Sequence, residues 1–146
     1  MKEVVQNILE ASGRHPLGGQ MLSEGPAWPL DWPKRHTYYF ETEDQEPFFV
    51  EIGNGVVKTG AGTPALDWRG KDWHKCSRIW AARGVLRDVL LGEKDLIMEW
   101  HAGNWDFASR NSNSPYQNWF CILLRLGREQ LSAEAARTFL EETGKE

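Results

Sequence analysis

The hydrophobic positions at the start of the chain first repeat at helical spacing and then give way to turn-forming residues. Residues 3–11 carry four apolar side chains in an i, i+1, i+4, i+5 pattern, which predicts a short amphipathic helix. Glycines and prolines are dense from residue 13 to residue 33, so this stretch predicts an irregular arm. Trp28, Leu30 and Trp32 lie within it, and their apolar bulk indicates that the arm packs on the rest of the protein.

Beyond residue 34 the pattern changes to that of β-strands. β-branched and aromatic residues dominate two runs, residues 36–41 and residues 47–52, with a charged turn between them. An Asn-Gly pair follows the second run and separates it from a third run at residues 56–59, which predicts a β-hairpin. A fourth strand is predicted at residues 74–80.

In the second half of the chain the apolar period becomes helical. Residues 85–90 predict a short helix that Gly92 closes, and residues 95–101 predict a second short helix. Residues 105–107 are the candidate for a fifth strand.

Two further helices are predicted at the end of the chain. Ser114 and Pro115 have the character of a helix start, and the strongly apolar helix that follows is predicted to end at Gly127. Ser132 predicts the start of a last helix. The inner side of that last helix is predicted to carry Ala136, Phe139 and Leu140.

Early strands and late helices together predict an α+β fold. The expected architecture is a single five-stranded, mostly antiparallel sheet covered by helices on one face. The other face is expected to be the more polar one, although Tyr39 and Phe49 interrupt the alternation. The chain divides into an N-terminal helix with a Pro/Gly-rich arm at residues 1–34 and a folded domain at residues 35–146.

Composition and charge exclude several classes of partner. The chain has 146 residues with 17 basic and 21 acidic side chains, a formal net charge of −4, and no run of Lys and Arg, so we expect no nucleic-acid partner. No stretch reaches the roughly 18 consecutive apolar residues of a transmembrane helix. The first residues lack the apolar core of a secretory signal, and only 2 cysteines are present, so the predicted location is the cytoplasm.

Candidate catalytic chemistry is sparse. The chain carries no phosphate-binding glycine loop and no nucleophile elbow. His74 and Cys76 are a single close pair of metal-ligand types, whereas zinc sites ordinarily show two such pairs, so no metal and no cofactor is expected. Glu99, His101 and Asp106 lie near one helix–strand junction, and they keep a small enzyme acting on a hydrophobic substrate open as an alternative.

The order of elements resembles one known family. Residues 47–55 lead into a hairpin, and residues 86–92 form a leucine-led helix that closes on glycine. At residues 102–105 the second predicted short helix ends and the next predicted strand begins. Over residues 37–126 this order resembles the sterol carrier protein type 2, or non-specific lipid-transfer, family. Residues 105–110 lack the Gly-Asp step that usually follows in that family.

The resemblance implies a sterol-carrier-like sandwich of sheet and helices around an apolar tunnel. It implies non-catalytic binding or transfer of a lipid, a sterol or a similar apolar molecule. Adaptable methionine and branched apolar side chains suit such a tunnel. The residues predicted to line it are Phe48, Val50 and Ile52 from the sheet, with Leu86, Leu90, Ile97, Met98, Trp119 and Leu123 from the helices.

Two further points complete the functional prediction. The 8 tryptophans favour a ligand that is bulkier or flatter than a plain acyl chain. A second alternative stays open beside the enzyme: an accessory subunit or scaffold whose apolar surface is a protein interface, either in a homo-oligomer or with a partner enzyme.

Overall fold

Five strands form one sheet in the computed structural model, which describes residues 1–26, 34–107 and 114–143. The strands are β1 (Arg35–Phe40), β2 (Phe48–Gly53), β3 (Val56–Ala61), β4 (Cys76–Ala81) and β5 (Trp105–Phe107). Their order across the sheet is β3-β2-β1-β4-β5, and neighbours are antiparallel except for β1 and β4, which are parallel. The predicted α+β class and mostly antiparallel sheet are therefore confirmed. Trp28, Leu30 and Trp32 of the predicted arm lie outside the described residues.

The predicted hairpin between the second and third strands is confirmed. Asn54 has a φ of 54° and Gly55 a φ of 78°. A type I′ turn requires positive φ at both central residues, and Asn-Gly is the pair that adopts this conformation most readily. The turn sets the register of the two strands, so that Ile52 lies opposite Val57.

The structure describes two helices before β1, two between β4 and β5, and one after β5. They are α1 (Lys2–Ser12), α2 (Gly18–Glu24), α3 (Val85–Leu90), α4 (Leu96–His101) and α5 (Ser114–Thr143). The predicted helices at residues 3–11, 85–90 and 95–101 are confirmed. A short 3-10 turn, Trp73–Lys75, precedes β4, so that strand begins later than its predicted start at residue 74.

The prediction of an irregular arm over residues 13–33 is wrong where α2 forms. A Cβ atom at Gly18 would overlap the carbonyl oxygen of Ser12, and one at Gly19 would lie 2.9 Å from the carbonyl oxygen of Gly13. The paired glycines therefore let the start of α2 approach the end of α1 closely. Glycine is needed here because it lets two helices pack closely. Since glycine has a low helix propensity, the sequence pattern predicts a break at the same residues.

The prediction that a helix ends at Gly127 and another begins at Ser132 is also wrong. α5 runs unbroken through both residues. A Cβ atom at Gly127 would overlap the carbonyl oxygen of Ile8, so α1 crosses α5 at this point with their backbones in contact. The last turns of α5 extend past the body, and Phe139 and Leu140 are 65% and 68% exposed. Ala136 is exposed too, so the side of the helix that was predicted to face inward is not buried by the described residues.

The helices cover one face of the sheet and enclose the core. Tyr38 and Phe40 of β1 pack on Phe120 of α5, with ring centroids 4.7 and 6.0 Å apart. α1 lies over β2 and β3, where the Thr59 hydroxyl donates to Gln6 Oε1 at 2.9 Å. Alternate residues of each strand therefore reach a continuous apolar layer between sheet and helices.

The opposite face of the sheet is less polar than expected, because the loop between β3 and β4 covers part of it. The Trp68 ring of that loop lies 5.4 Å from the Tyr39 ring, and the Arg69 guanidinium lies 4.6 Å from the centre of the Trp68 ring. Phe49 is half-buried, and its ring occupies the space that a side chain at Gly60 would fill. Of the two aromatic residues that interrupt the alternation, Tyr39 is therefore buried and Phe49 is half-buried.

Candidate ligand-binding groove

An open groove of about 780 Å³ lies where α1, the end of α3 and the middle of α5 meet. We call it the α1–α5 groove. Its volume lies within the range of roughly 300–1,000 Å³ found for small-molecule sites. The lining residues are Val4, Asn7, Ile8, Leu90, Leu91, Gly92, Arg125, Arg128, Glu129, Leu131 and Ser132.

Two contacts hold the walls of the groove together. The backbone contact between Gly127 and Ile8 places α1 against α5. On the other side, Arg128 Nη1 donates a hydrogen bond to the carbonyl oxygen of Val89, 2.5 Å away. That carbonyl belongs to the last turn of α3, where carbonyl groups have no partner within the helix and attract cations. The groove therefore depends on helix packing that local sequence does not reveal.

The floor of the groove is apolar and continuous with the core. Ile8 and Leu90 are almost fully buried at its base, while Leu91 is 54% exposed on its wall. Val4 adds a second exposed aliphatic side chain from α1. Side chains of this size and exposure are what an apolar ligand removes from water when it binds.

Charged residues line the solvent side of the groove. Arg125 Nε lies 3.4 Å from Glu129 Oε1, and Glu129 Oε2 lies 3.7 Å from His15 Nε2. Exposed pairs of this kind contribute little to stability. Their effect is to surround an apolar floor with a polar rim.

The structure places seven of the nine predicted ligand-binding residues in the buried layer between sheet and helices. Those seven are Phe48, Val50, Ile52, Leu86, Leu90, Trp119 and Leu123. Leu90 also lines the α1–α5 groove. Ile97 and Met98 lie apart on α4, where they are 44% and 67% exposed. The buried set is thus brought together, and its role in binding stays a prediction.

Trp119 has a structural role in addition. Its indole Nε1 donates to the carbonyl oxygen of Met21 at 2.9 Å, which ties α5 to α2. A buried indole N–H ordinarily finds such a partner.

A buried polar cluster in β1 escaped the sequence analysis. His36 is 1% exposed, its ring stacks on Tyr116 with centroids 4.1 Å apart, and its Nε2 lies 2.8 Å from Ser77 Oγ. His36 Nδ1 has no hydrogen-bond partner within the part of the chain that the structure describes. Burial, together with a smaller charge repulsion from His74, lowers the pKa of His36 to about 3. The signal was available, because His36 alternates with Tyr38 and Phe40 on one strand face.

The candidate catalytic residues have local structural roles or are exposed. Glu99 Oε2 accepts a hydrogen bond from Asn104 Nδ2 at 2.8 Å. In the same region Asp95 caps α4, since its Oδ2 accepts from the Met98 amide at 3.0 Å. His101 and Asp106 are exposed.

The two residues of the candidate metal pair lie in different elements. His74 lies in the 3-10 turn, whereas Cys76 opens β4 and is buried. Among residues 1–26, 34–107 and 114–143, no three His, Cys, Asp or Glu side chains converge as metal ligands would. No helix within these ranges is long and apolar enough to span a bilayer.

Comparison with known proteins shows a likeness of fold. No protein-family model and no curated protein matches the chain. A crystal structure of sterol carrier protein 2 superposes with a TM-score of 0.55 over 88% of this chain and 96% of that one, at 13% identity. The chain has the sterol carrier protein fold.

A second solved structure supports the same fold. It is the solution structure of a conserved hypothetical protein from Thermus thermophilus, described as possibly a sterol carrier protein. It matches 89% of this chain and 87% of its own, with 13% identity and a TM-score of 0.52. The predicted resemblance to the sterol carrier family is confirmed as a likeness of fold. The groove therefore lies on the helical side of a sterol-carrier sheet.

Proposed function

We propose that the protein binds an apolar small molecule without chemical change, and that the α1–α5 groove is where the ligand meets the protein. The observation that carries this proposal is a lipid-sized groove with an apolar floor and a charged rim. The names of the two proteins with similar folds, both of which refer to sterol carriers, favour the same class of ligand.

The expected affinity follows from the surface that a ligand would cover. Val4 and Leu91 expose aliphatic surface, and Ile8 and Leu90 lie directly beneath. A ligand that removes about 300–400 Å² of combined apolar surface from water gains about 8–10 kcal/mol before its ordering cost. After an ordering cost of about 4 kcal/mol, about 4–6 kcal/mol remains, so a dissociation constant between about 1 mM and about 40 μM is expected.

We further propose that the buried layer is the deeper part of the site. Leu90 belongs to both regions, since it lines the groove and packs in the core. Access from the groove to Leu86, Trp119 and Leu123 requires α3 to move away from the sheet, because these side chains are buried. α3 is a short helix of 6 residues that the bond between Arg128 and Val89 ties to α5, and we propose that it is the element that moves. This extension accounts for the predicted tunnel.

The first test is to identify any bound molecule. Native mass spectrometry of the purified protein is expected to show a bound species of low mass, and extraction under denaturing conditions is expected to release an apolar compound. We expect such a carrier to act in the cytoplasm, which agrees with Cys76 and Cys121 being thiols and not a disulfide.

The second test locates the site with matched variants. Leu91→Glu places a charge on the groove wall, whereas Ile122→Glu places one on a 43% exposed side chain of α5 outside the groove. Titration with fluorescent analogues of a fatty acid and of a sterol should show binding weakened about tenfold or more by Leu91→Glu only. Equal affinity of both variants and the unmodified protein for both probes would remove the groove from the proposal.

A further inference from the structure

The C-terminal end of α5 presents apolar side chains with no described neighbour to cover them. Among the described residues, the pair between Arg14 and Glu134 ties this helix to the rest of the protein, with distances of 2.7 and 2.9 Å from Nε and Nη2 to the carboxylate oxygens. Beyond it the helix continues to Thr143 with every described side chain exposed. Phe139 and Leu140 are there 65% and 68% exposed. Two neighbouring apolar side chains on a free helix end indicate a contact surface.

These side chains continue the line of the α1–α5 groove. Residues four or seven apart lie on the same side of a helix, so Leu131, Ala135 and Phe139 form one stripe. Arg128 begins that stripe and Glu142 ends it, each three residues from its neighbour in the stripe. Leu131 and Arg128 line the groove, so the apolar floor on the body passes directly into the stripe on the projecting end.

We propose that two copies of this chain associate by exchanging the ends of α5, with Phe139 of each copy seated in the α1–α5 groove of the other. Pairing the two helices antiparallel about a two-fold axis near Ala135 places Phe139 beside Leu131 of the second copy. A contact about a two-fold axis is made twice, so each groove is filled by the other copy's helix end.

Charge favours this occupant over other candidates. In the antiparallel pairing about Ala135, Glu142 of one copy lies level with Arg128 of the other. The acidic end of each helix, Glu141 and Glu142, therefore approaches a groove rim whose two arginines, Arg125 and Arg128, outnumber its one carboxylate, Glu129. The same acidic end disfavours an anionic lipid surface as the partner.

Self-association and ligand binding then compete for one site, a consequence that rests on the proposed function. A ligand in the groove displaces Phe139 of the second copy, and dilution of the protein frees the groove. The dimer is the form that covers apolar surface when no ligand is bound.

The test begins with mass measured by sedimentation equilibrium across protein concentration, using delipidated full-length protein. The average mass is expected to rise from 16.7 kDa toward twice that value. Phe139→Glu is expected to weaken the dimer at least about 30-fold, since large buried anchors dominate small interfaces. Ala133→Glu adds the same charge at an exposed position on the opposite side of the helix and is expected to leave the dimer intact.

Cross-linking tests the position of the axis. Ala135→Cys, with a short bismaleimide, is expected to join two copies, whereas Ala133→Cys, which points away from the stripe, is expected to give none above the unmodified protein. A monomer at every concentration, equal loss from both glutamate variants, or equal cross-linking by both cysteine variants would overturn the proposal.

The monomeric Phe139→Glu variant separates the two proposals. If the unmodified protein is monomeric yet binds the fatty-acid or sterol probe, the exchange is overturned and the ligand site stands. If the dimer forms as described and Phe139→Glu binds neither probe, the exchange stands and the ligand site does not.

Discussion

Burial of His36 is expected to make the protein less stable when the pH falls from 7 to 5. Its pKa in the folded protein is lowered to about 3 by burial, against an ordinary value of 6.5 in the unfolded chain. Below pH 6.5 the unfolded chain therefore takes up a proton that the folded protein does not accept until about pH 3. The free energy of unfolding falls as pH falls through this window, and the loss is complete near pH 3.

The magnitude follows from the size of that window. Protonation of His36 stabilises the unfolded chain by the equivalent of about 1.5 pH units at pH 5 and of about 0.1 unit at pH 7. Each unit corresponds to about 1.4 kcal/mol. His36 alone should thus lower the free energy of unfolding by about 2 kcal/mol between pH 7 and pH 5. Exposed carboxylates also respond to acid, so only a comparison of variants isolates the contribution of His36.

The assay is urea unfolding at pH 7, 6 and 5, followed by tryptophan fluorescence. The double variant His36→Phe/Ser77→Ala keeps a ring stacked on Tyr116 and removes both partners of the His36–Ser77 bond, which leaves no orphaned hydroxyl. It should lose about 2 kcal/mol less than the unmodified protein on acidification. His101→Asn, at an exposed position, is the control and should follow the unmodified protein. Parallel pH curves for the double variant and the unmodified protein would refute the reasoning.

Three further predictions address the packing. Gly127→Ala should lower the free energy of unfolding by about 1–3 kcal/mol and weaken probe binding. The reason is that overlap of the new methyl group with Ile8 outweighs the roughly 1 kcal/mol gained in helix propensity. A variant that is more stable in urea unfolding would contradict the α1–α5 contact. Asp95→Ala should cost about 1 kcal/mol through loss of the cap to Met98, whereas Asp95→Asn should retain most of it; thermal unfolding distinguishes them. Burial raises the pKa of Cys76 to about 12, so a thiol reagent at pH 8 should leave it unmodified until the protein unfolds, and rapid labelling of the native protein would count against that burial.

The local sequence pattern predicted the structure correctly where the conformation of a short segment depends on its own residues. The hairpin at Asn54 and Gly55 is set by the positive φ angles that this pair tolerates, and the sequence alone predicts it. The strand alternation through Phe48, Val50 and Ile52 likewise determined which side chains face the core.

The groove was beyond local pattern, because its walls come from three helices far apart in the chain. The missed α2 and the uninterrupted α5 share one cause: Gly18 and Gly127 serve contacts with other helices, although glycine is ordinarily a sign that a helix ends. Leu91 lines the groove, and the bond between Arg128 and Val89 links α3 to α5 there.

The amino-acid sequence by itself therefore determined the class of fold, the resemblance to the sterol carrier family and which face of the second strand is buried. These follow from periodicity and turn chemistry, which act over a few residues. Only the tertiary structure decided where surface is left uncovered: the groove between α1 and α5, and the free end of α5 with Phe139. Whether an apolar side chain is buried depends on distant segments that pack against it, and that information is absent from its local sequence.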